Sequence, residues 1–158
     1  MIAPLLRQAV PADAAALGEA HVACWRETYD GLLPDAMLAA LSVEARAAMW
    51  AGVFDDPAAS GTVSVIVAEA EGRIVGFGAC GRQRDAALAG QGFGGEIGAI
   101  YLLRAYQGTG AGRALMGALA RALAGAGHTA VGLWVLRENA RARGFYEALG
   151  GDVLGERV

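Results

Sequence analysis

Three glycines stand together where an otherwise regular helix would begin, in the segment YQGTGAGRALM (Tyr106–Met116). Glycine costs about 1 kcal/mol relative to alanine inside a helix, so the spacing of Gly108, Gly110 and Gly112 needs a reason. A strand-like run, GEIGAIYLL, comes just before this segment. A helix that starts after such a turn has unpaired N–H groups and the positive end of its dipole there, and glycine lets an anion approach the backbone. The segment therefore predicts a phosphate-binding turn.

Two nucleotide-binding motifs share part of this glycine pattern, and neither fits. A P-loop requires GxxxxGK[ST], and the lysine is absent, so nucleotide hydrolysis is excluded. A dinucleotide-binding fingerprint requires GxGxxG; Gly108 and Gly110 begin one, but Arg113 stands at the third glycine and too few residues follow for a complete dinucleotide fold. A tight structural turn explains one glycine, but not three between Gln107 and Arg113. Binding of phosphate by main-chain N–H groups is the favoured interpretation.

A carboxylate precedes the glycine turn on the same predicted strand. Glu96 stands near the start of GEIGAIYLL, and carboxylates are among the groups that accept a proton during catalysis. Regular alternation along a strand predicts that Glu96 shares one face with Gly98 and Ile100, while Ala99 and Tyr101 point to the other face. A solvated carboxylate at the end of a strand is the competing interpretation, and the sequence alone does not choose between them.

The segments that must position these residues include both helices and strands. Asp13 and Ser42 precede alanine-rich periodic segments and are predicted to cap helices. The pair Glu71-Gly72 between two β-branched runs predicts a hairpin. The predicted helices cover residues 13–29, 34–41, 42–54, the segment from the glycine turn to about 125, and 139–149. The predicted strands cover residues 2–7, 62–70, 73–81, 95–103, 130–136 and 152–158, with a polar loop at 82–94.

Length and composition narrow the class of protein. The 158 residues predict one domain, residues 1–158, and the strand–helix–strand order from 95 to 136 predicts a parallel, right-handed crossover. A net charge of −3 gives no reason to expect nucleic acid as a partner. The sequence shows neither a signal peptide nor an apolar run typical of a membrane span. Cys24 and Cys80 lie far apart without metal-binding spacing, so we expect reduced thiols, a cytoplasmic location and no metal.

Three segments together resemble the GCN5-related N-acetyltransferase (GNAT) superfamily. EIGAIYLLRAYQGTGAGRALM is similar to its motif A, whose signature [QR]-x-x-G-x-[GA] is met by Gln107, Gly110 and Gly112. NARARGFYEALGG is similar to its motif B, with Asn139 and Tyr146. The upstream segment HVACWRETYDGLLPDAMLAALS resembles the first two helices of many small bacterial members. These segments occur in the family's order over nearly the whole chain, which is more specific than a lone glycine pair.

The resemblance implies an α+β fold, with a mixed central sheet of about six strands flanked by helices, and acetyl-coenzyme A as the co-substrate. The main chain of the glycine turn would cradle the diphosphate. The strand before the turn would pair with the pantetheine arm, which would lie between two splayed parallel strands, 95–103 and 130–136. The implied cofactor-binding residues are Ile100, Tyr101, Leu102, Gln107, Gly108, Thr109, Gly110, Ala111, Gly112, Arg113 and Asn139.

The resemblance also implies roles near the reacting atoms. Tyr146 would donate a proton or hydrogen bond to the coenzyme A thiolate as it leaves, and Glu96 would take the proton of the amine, although many members of the family use water chains. Trp25, Tyr29 and Asp30 would roof the acceptor pocket. For Trp25, packing of a helical stripe against the sheet is the stronger interpretation on sequence alone.

These implications lead to one expected function and two alternatives. The expected function is direct acetyl transfer to a primary amine of a small molecule or peptide, in a ternary complex. The first alternative is a non-catalytic acyl-coenzyme A sensor, and the second is an enzyme for another short acyl chain, because Gly98 and Ala99 leave room. The segment after Gly151 offers one short strand where the family usually has two. An uncovered sheet edge would then remain, so we expect a homodimer.

Overall fold

A computed structural model describes residues 2–157, which form one sheet with helices on both faces. The strands are β1 (Leu5–Gln8), β2 (Thr62–Ala70), β3 (Arg73–Arg82), β4 (Gly95–Leu102) and β5 (Val131–Gly132). The helices are α1 (Ala14–Tyr29), α2 (Asp35–Ala39), α3 (Val43–Asp55), α4 (Pro57–Ser60), α5 (Ala86–Gly90), α6 (Ala111–Gly125) and α7 (Ala140–Ala148). The segment predicted as a polar loop contains α5, which Asp85 caps through the N–H groups of Ala87 and Leu88. No helix in the described part of the chain is long and apolar enough to cross a membrane.

The strands follow their sequence order across the sheet. The first three pairings are antiparallel and the pairing of β4 with β5 is parallel, which confirms the mixed architecture and the crossover through α6. The sheet has five strands rather than six, because residues 152–157 form no strand; Val158, the end of that predicted strand, lies outside the described residues. β5 is shorter than the predicted strand 130–136, since only Val131 and Gly132 pair with β4. Beyond Glu96, β4 therefore has no strand partner on this side.

Helices cover both faces of the sheet, with α6 on one face and α1 and α3 on the other. On the α6 face, the Leu119 side chain lies over Gly78, where an added Cβ would be 2.6 Å from its Cδ1. On the α1–α3 face, the buried Phe77 ring packs edge-on against Trp50, with centroids 5.6 Å apart. Burial of such large apolar side chains contributes about 1.5–3 kcal/mol each to folding. The sheet is thereby held rigid beneath the residues that could do chemistry.

A β-bulge in β4 changes which residues share a face. Ile97 and Ala99 pair with consecutive residues of β3, so Gly98 is the extra residue. The extra residue shifts the alternation of side chains by one position. Glu96 therefore points to the same face as Ala99 and Tyr101, the face covered by α1 and α3. The regular alternation expected from the sequence, which placed Glu96 and Tyr101 on opposite faces, is wrong for this reason.

Of the two predicted helix caps, one forms and one does not. Ser42 Oγ accepts a hydrogen bond of 3.1 Å from the N–H of Ala45, as expected at the start of α3. The Asp13 carboxylate instead accepts from Arg7, at 2.8 Å, and from the N–H of Val10. The Arg7 guanidinium holds the pKa of Asp13 below its usual value. Asp13 thus ties β1 to the start of α1 instead of capping the helix.

Gly18 lies where the backbones of α1 and α3 approach closely. An added Cβ at Gly18 would be 2.7 Å from the nitrogen of Ala47 and 2.8 Å from the carbonyl oxygen of Val43. We expect Gly18→Ala to lower the free energy of unfolding by about 1–3 kcal/mol, because two backbones must separate to admit the methyl group. In the control Gly52→Ala, nothing lies within 4 Å of the added methyl, so stability should rise by up to about 1 kcal/mol. Urea denaturation measures both, and wild-type stability in Gly18→Ala would contradict the close approach.

Candidate functional site

A large cavity opens where β4 has lost its partner strand. Its volume is about 610 Å³, within the range of about 300–1,000 Å³ that is usual for ligand pockets. The walls are formed by β4, the start of α6, the end of α1 and α7. Most of the predicted cofactor-binding residues line it, namely Ile100, Tyr101, Leu102, Gln107, Gly108, Gly110, Gly112, Arg113 and Asn139. Thr109 and Ala111 belong to the same turn but do not line the cavity.

The glycine turn presents main-chain donors to this cavity. Gly108 and Gly110 have φ angles of +80° and +87°, a conformation that L-residues rarely adopt, and nothing lies within 4 Å of a Cβ added at either. Among the described residues, the main-chain N–H groups of Gly108, Thr109, Gly110, Gly112 and Arg113 have no hydrogen-bond acceptor. Unpaired N–H groups at a helix start favour an anion. The turn therefore offers several donors to one negatively charged group.

The remaining residues of the turn hold it in shape. Thr109 Oγ1 donates a 2.7 Å hydrogen bond to the carbonyl oxygen of Tyr106, and Ala111 is buried at the first position of α6. Gly112 lies beside Phe145 of α7, whose Cε2 would be 3.4 Å from an added Cβ. Gly112 thus allows α6 and α7 to pack closely. The sequence pattern could not distinguish this packing role from a role in anion binding.

Gln107 joins the end of β4 to α7. Its Nε2 donates a 3.0 Å hydrogen bond to the carbonyl oxygen of Leu102, and its Oε1 accepts one from Arg141. Arg141 also lines the cavity. It was not identified as a site residue from the sequence, although it lies in NARARGFY between the predicted site residues Asn139 and Tyr146. Asn139 caps α7 by accepting a 3.1 Å hydrogen bond from the N–H of Ala142. These contacts fix the position of α7 against the glycine turn.

Tyr146, like Arg141, is an ionisable side chain that α7 places at the cavity. Burial raises the pKa of its phenol to about 12, so the hydroxyl is protonated at neutral pH. Its ring packs edge-on against Phe145, with centroids 5.5 Å apart. The cavity wall therefore contains a proton donor held by aromatic packing.

A second cavity, of about 280 Å³, lies on the α1–α3 face of the sheet. Glu96 lines this smaller cavity and not the larger one, because the bulge turns its side chain to that face. Its carboxylate is buried and forms an ion pair with the Nε of Arg84. Gly98, Ala99 and Tyr101 line both cavities. The two cavities therefore approach each other at the bulge of β4.

The three residues expected to contact an acceptor divide between the two cavities. Tyr29 and Asp30 line the larger cavity, and Trp25 lines the smaller one. The hydroxyls of Tyr29 and Tyr101 are hydrogen-bonded at 3.0 Å, and burial together with this bond raises the pKa of Tyr101. The Trp25 Nε1 comes near the Tyr101 hydroxyl but is buried without a hydrogen-bond partner among the described residues. Trp25 thus lines the smaller cavity, while its N–H is buried beside the Tyr101 hydroxyl.

His21 makes contacts that sequence reasoning missed. Trp50 Nε1 donates a 3.2 Å hydrogen bond to its Nδ1. Burial and, secondly, the positive charge of Arg46 lower the pKa of His21 to about 4. The ring is therefore neutral at pH 7 and carries its proton on Nε2. In the sequence, only its position on the same helical face as Trp25 pointed to His21. Its hydrogen-bond partner, Trp50, belongs to another helix.

Other reactive groups give little sign of chemistry. Within residues 2–157, no three His, Cys, Asp or Glu side chains form a group that could hold a metal ion. Cys24 and Cys80 are free and buried, and burial raises the pKa of Cys24 to about 12. A thiol with such a pKa is a poor nucleophile at neutral pH. The candidate chemistry is therefore confined to the two cavities.

Comparison with known proteins finds similarity over most of the chain. The Acetyltransferase (GNAT) family matches residues 17–151. The chain is 32% identical over 153 residues to the uncharacterized N-acetyltransferase YuaI of Bacillus subtilis (strain 168), a match that covers 96% of this chain and 82% of that protein.

Two solved structures with the same fold contain coenzyme A or an analogue of it. The PaiA N-acetyltransferase of Thermoplasma acidophilum, in complex with coenzyme A, has a TM-score of 0.77 at 17% identity, over 94% of this chain and 89% of that one. AAC(6')-Iy, in complex with the bisubstrate analogue CoA-S-monomethyl-acetylneamine, has a TM-score of 0.69 at 17% identity, over 98% of this chain and 94% of that one. At these identities the two structures establish the fold. Together with the family match and the relative from Bacillus subtilis, they show that the chain belongs to the acetyltransferase (GNAT) family.

Proposed function

We propose that this protein transfers the acetyl group of acetyl-coenzyme A to a primary amine of a small molecule or peptide, directly and in a ternary complex. The observation that carries the proposal is a set of unpaired main-chain donors and a protonated tyrosine around one cavity. Family membership supports it, as do the coenzyme A complexes of two structures with this fold.

The residues of the large cavity fit acetyl-coenzyme A. The open space at Gly108 and Gly110 admits a group as large as a diphosphate, which the N–H groups from Gly108 to Arg113 would bind. The Arg113 guanidinium would add a charge-assisted hydrogen bond. The main chain of residues 100–102 has no partner strand toward β5, so it can pair with the amides of the pantetheine arm as a sheet edge pairs with a peptide.

Acetyl-coenzyme A would supply the acetyl group as a thioester: the bond from the amine nitrogen to the carbonyl carbon forms, the carbon–sulfur bond breaks, a base takes one amine proton, and the sulfur receives a proton. A lysine-like amine has a pKa of about 10.4, so most of it is protonated at pH 7. The protein must therefore help remove a proton from the amine and provide one to the sulfur. A main-chain N–H near Ile100 would stabilise negative charge on the carbonyl oxygen.

Tyr146 and Glu96 would handle the two protons from different cavities. The Tyr146 phenol, protonated at neutral pH, would donate to the sulfur in the large cavity. Glu96 would take the amine proton, directly or through water, from the smaller cavity. This arrangement has the acetyl donor and the acceptor amine meeting at Gly98, where the cavities approach each other. Trp25 would then border the acceptor in the smaller cavity, and Tyr29 and Asp30 would border only a part of it that extends into the larger cavity.

The proposal is tested by release of free thiol from acetyl-coenzyme A in the presence of a panel of primary amines. Acetyl transfer to an amine, verified by mass spectrometry of the product, supports it. Binding of acetyl-coenzyme A without transfer to any amine would favour the sensing module instead. Faster turnover of propionyl- or succinyl-coenzyme A than of the acetyl thioester would favour an enzyme for another acyl chain, with the small residues Gly98 and Ala99 at the acyl group.

We expect Glu96→Gln to lower kcat/KM at pH 7 by about 100-fold, the usual scale of general-base catalysis. The variant should regain activity as the pH rises toward 9, because the fraction of neutral amine grows about tenfold per pH unit below the amine pKa. Glu147→Gln, an exposed residue of α7, is the matched control and should leave the pH profile unchanged. Parallel pH profiles of wild type and Glu96→Gln would assign the base to water alone.

Two further properties complete the proposal. The proposed cytoplasmic location is consistent with the two free, buried cysteines, because a reducing compartment keeps thiols reduced. A homodimer agrees with the sheet edge at β5, the last strand of the sheet, which pairs over only two residues. A second copy packed on this edge would cover the strand.

A further inference from the structure

The smaller cavity has an excess of positive charge. Three arginines line it, Arg46, Arg82 and Arg84, and among the described residues Glu96 is its one acidic side chain. Arg84 and Glu96 neutralise each other in their ion pair. The other two guanidinium groups therefore have no carboxylate beside them in this cavity, and a ligand there meets a net charge of about +2.

The contacts of Arg46 and Arg82 confirm that neither is neutralised from elsewhere in the described chain. Arg46 lies over the Trp25 ring, 5.6 Å from its centroid, and its hydrogen bond goes to the weak acceptor sulfur of Met49. Arg82 forms no ion pair within residues 2–157. Its guanidinium lies beside Gly61, 3.2 Å from the position of an added Cβ. Both side chains thus keep donors for a ligand.

The cavity therefore combines two free cations with one carboxylate that is already paired. Trp25 lines the same cavity, but its buried Nε1 lies near the Tyr101 hydroxyl. Trp25 therefore contributes the ring beneath the Arg46 guanidinium, and no donor to a ligand.

We propose that the acceptor is a primary amine that also carries an anionic group, a carboxylate or a phosphate, bound by Arg46 and Arg82. The amine of such a molecule lies toward Glu96 and the bulge at Gly98, where the acetyl group arrives. An amino acid or an amine phosphate fits this description, and a polycationic amine does not. The inference rests on the proposed acetyl transfer and specifies its substrate class.

The carboxylates that line the larger cavity, those of Glu27, Asp30 and Glu138, do not offset this preference, because none of them lines the smaller cavity. Glu27 accepts a 3.1 Å hydrogen bond from the main-chain N–H of Arg104, and its carbonyl oxygen accepts another from the Arg104 side chain. Asp30 lines the larger cavity only. A cationic amine attracted there would lie apart from Glu96, the base proposed to accept its proton.

The test compares acceptors that differ by the anion alone, in the thiol-release assay. The carboxylate arm compares alanine with ethylamine and leucine with isoamylamine, and the phosphate arm compares O-phosphoethanolamine with ethanolamine. We expect kcat/KM to be at least about tenfold higher for the anionic member of at least one arm, the scale of a charge-assisted hydrogen bond. The arm with the larger ratio identifies the anion.

Arg46→Gln then shows whether the cavity causes the preference. It should lower kcat/KM for the anionic acceptor about 10- to 100-fold, mainly through KM, and change that of the neutral amine less than about twofold. Arg46→Lys should restore part of the loss. Arg73→Gln removes an exposed arginine at the start of β3, outside both cavities, and should change neither value. Calorimetric binding of acetyl-coenzyme A checks that each variant is folded, and Arg82→Gln takes the place of Arg46→Gln if the latter does not fold.

The outcomes separate this inference from the proposed function. Acetylation of both members of every pair at similar rates, or an equal loss for both in Arg46→Gln, overturns the anion site and leaves acetyl transfer standing. Transfer to no amine in any pair, when the wider panel contains an acceptor, overturns the anion site alone; transfer to no amine in either set overturns the proposed function as well. A preference for the anionic member that disappears in Arg46→Gln and persists in Arg73→Gln supports both.

Discussion

Gly110→Asp is expected to weaken binding of acetyl-coenzyme A by at least about 100-fold, a loss of about 2.7 kcal/mol or more. Gly110 is the residue just before α6, with a φ of +87° and open space on the cavity side. An aspartate there would place its own carboxylate among the N–H groups that the diphosphate needs, and would repel a second anion. Isothermal titration calorimetry of the two proteins with acetyl-coenzyme A measures the effect.

Gly72→Asp is the matched control for that result. Gly72 has a similar φ of +76° and nothing within 4 Å of an added Cβ, but it lies in the β2–β3 hairpin, outside both cavities. The two variants therefore add the same charge and similar backbone strain, of about 1–2 kcal/mol. Gly72→Asp should bind acetyl-coenzyme A like the wild type. Equal weakening in both variants would mean that strain, and not the glycine turn, explains the loss.

The parts of the fold that local chemistry determines could be predicted from the sequence. The strand Thr62–Ala70 and the hairpin at Glu71-Gly72 form as expected, because β-branched runs around a turn pair specify their own neighbours. The same holds for Ser42, which caps α3. The glycine turn was recognisable because three glycines interrupt the pattern of an otherwise regular helix start, while its binding of a phosphate stays a prediction.

Long-range pairing decided what the sequence could not show. The bulge at Gly98 arises from the register of β4 against β3, and no local pattern distinguishes it from regular alternation. It nevertheless moves Glu96 from one face of the sheet to the other and so determines which cavity the carboxylate lines. Likewise, the apolar run 130–136 reads as a full strand, but β5 ends at Gly132 because pairing with β4 stops there.

The electrostatics of the smaller cavity depended on distant partners too. Arg46 and Trp25 belong to different helices, and each is ordinary within its own segment of the sequence. Packing of α1 on α3 brings the guanidinium over the indole ring. The positive charges of Arg46 on α3 and Arg82 on β3 lie in one cavity only in the folded chain. The sequence alone therefore could not identify them as parts of one site.

Tyr146→Phe should lower kcat by about 100-fold or more, the usual scale for loss of a general acid, while binding of acetyl-coenzyme A changes less than about twofold. The substitution removes the hydroxyl and keeps the ring that packs against Phe145, so the fold should be unaffected. Tyr106→Phe, a half-buried tyrosine that does not line either cavity, is the matched control and should keep full activity. Steady-state kinetics give kcat, and calorimetry gives the binding constant.

The pH dependence of this loss distinguishes a proton donor from other roles of Tyr146. Burial raises the pKa of the phenol to about 12, so the hydroxyl stays protonated from pH 6 to 9. The ratio of wild-type kcat to that of Tyr146→Phe should then stay constant over this range, whereas the loss in Glu96→Gln should shrink as the pH rises. A ratio that changed near neutral pH would mean that the phenol ionises there, and would contradict its role as the proton donor to the leaving sulfur. A constant loss in Tyr146→Phe together with a shrinking loss in Glu96→Gln would instead assign proton donation to the larger cavity and proton acceptance to the smaller one.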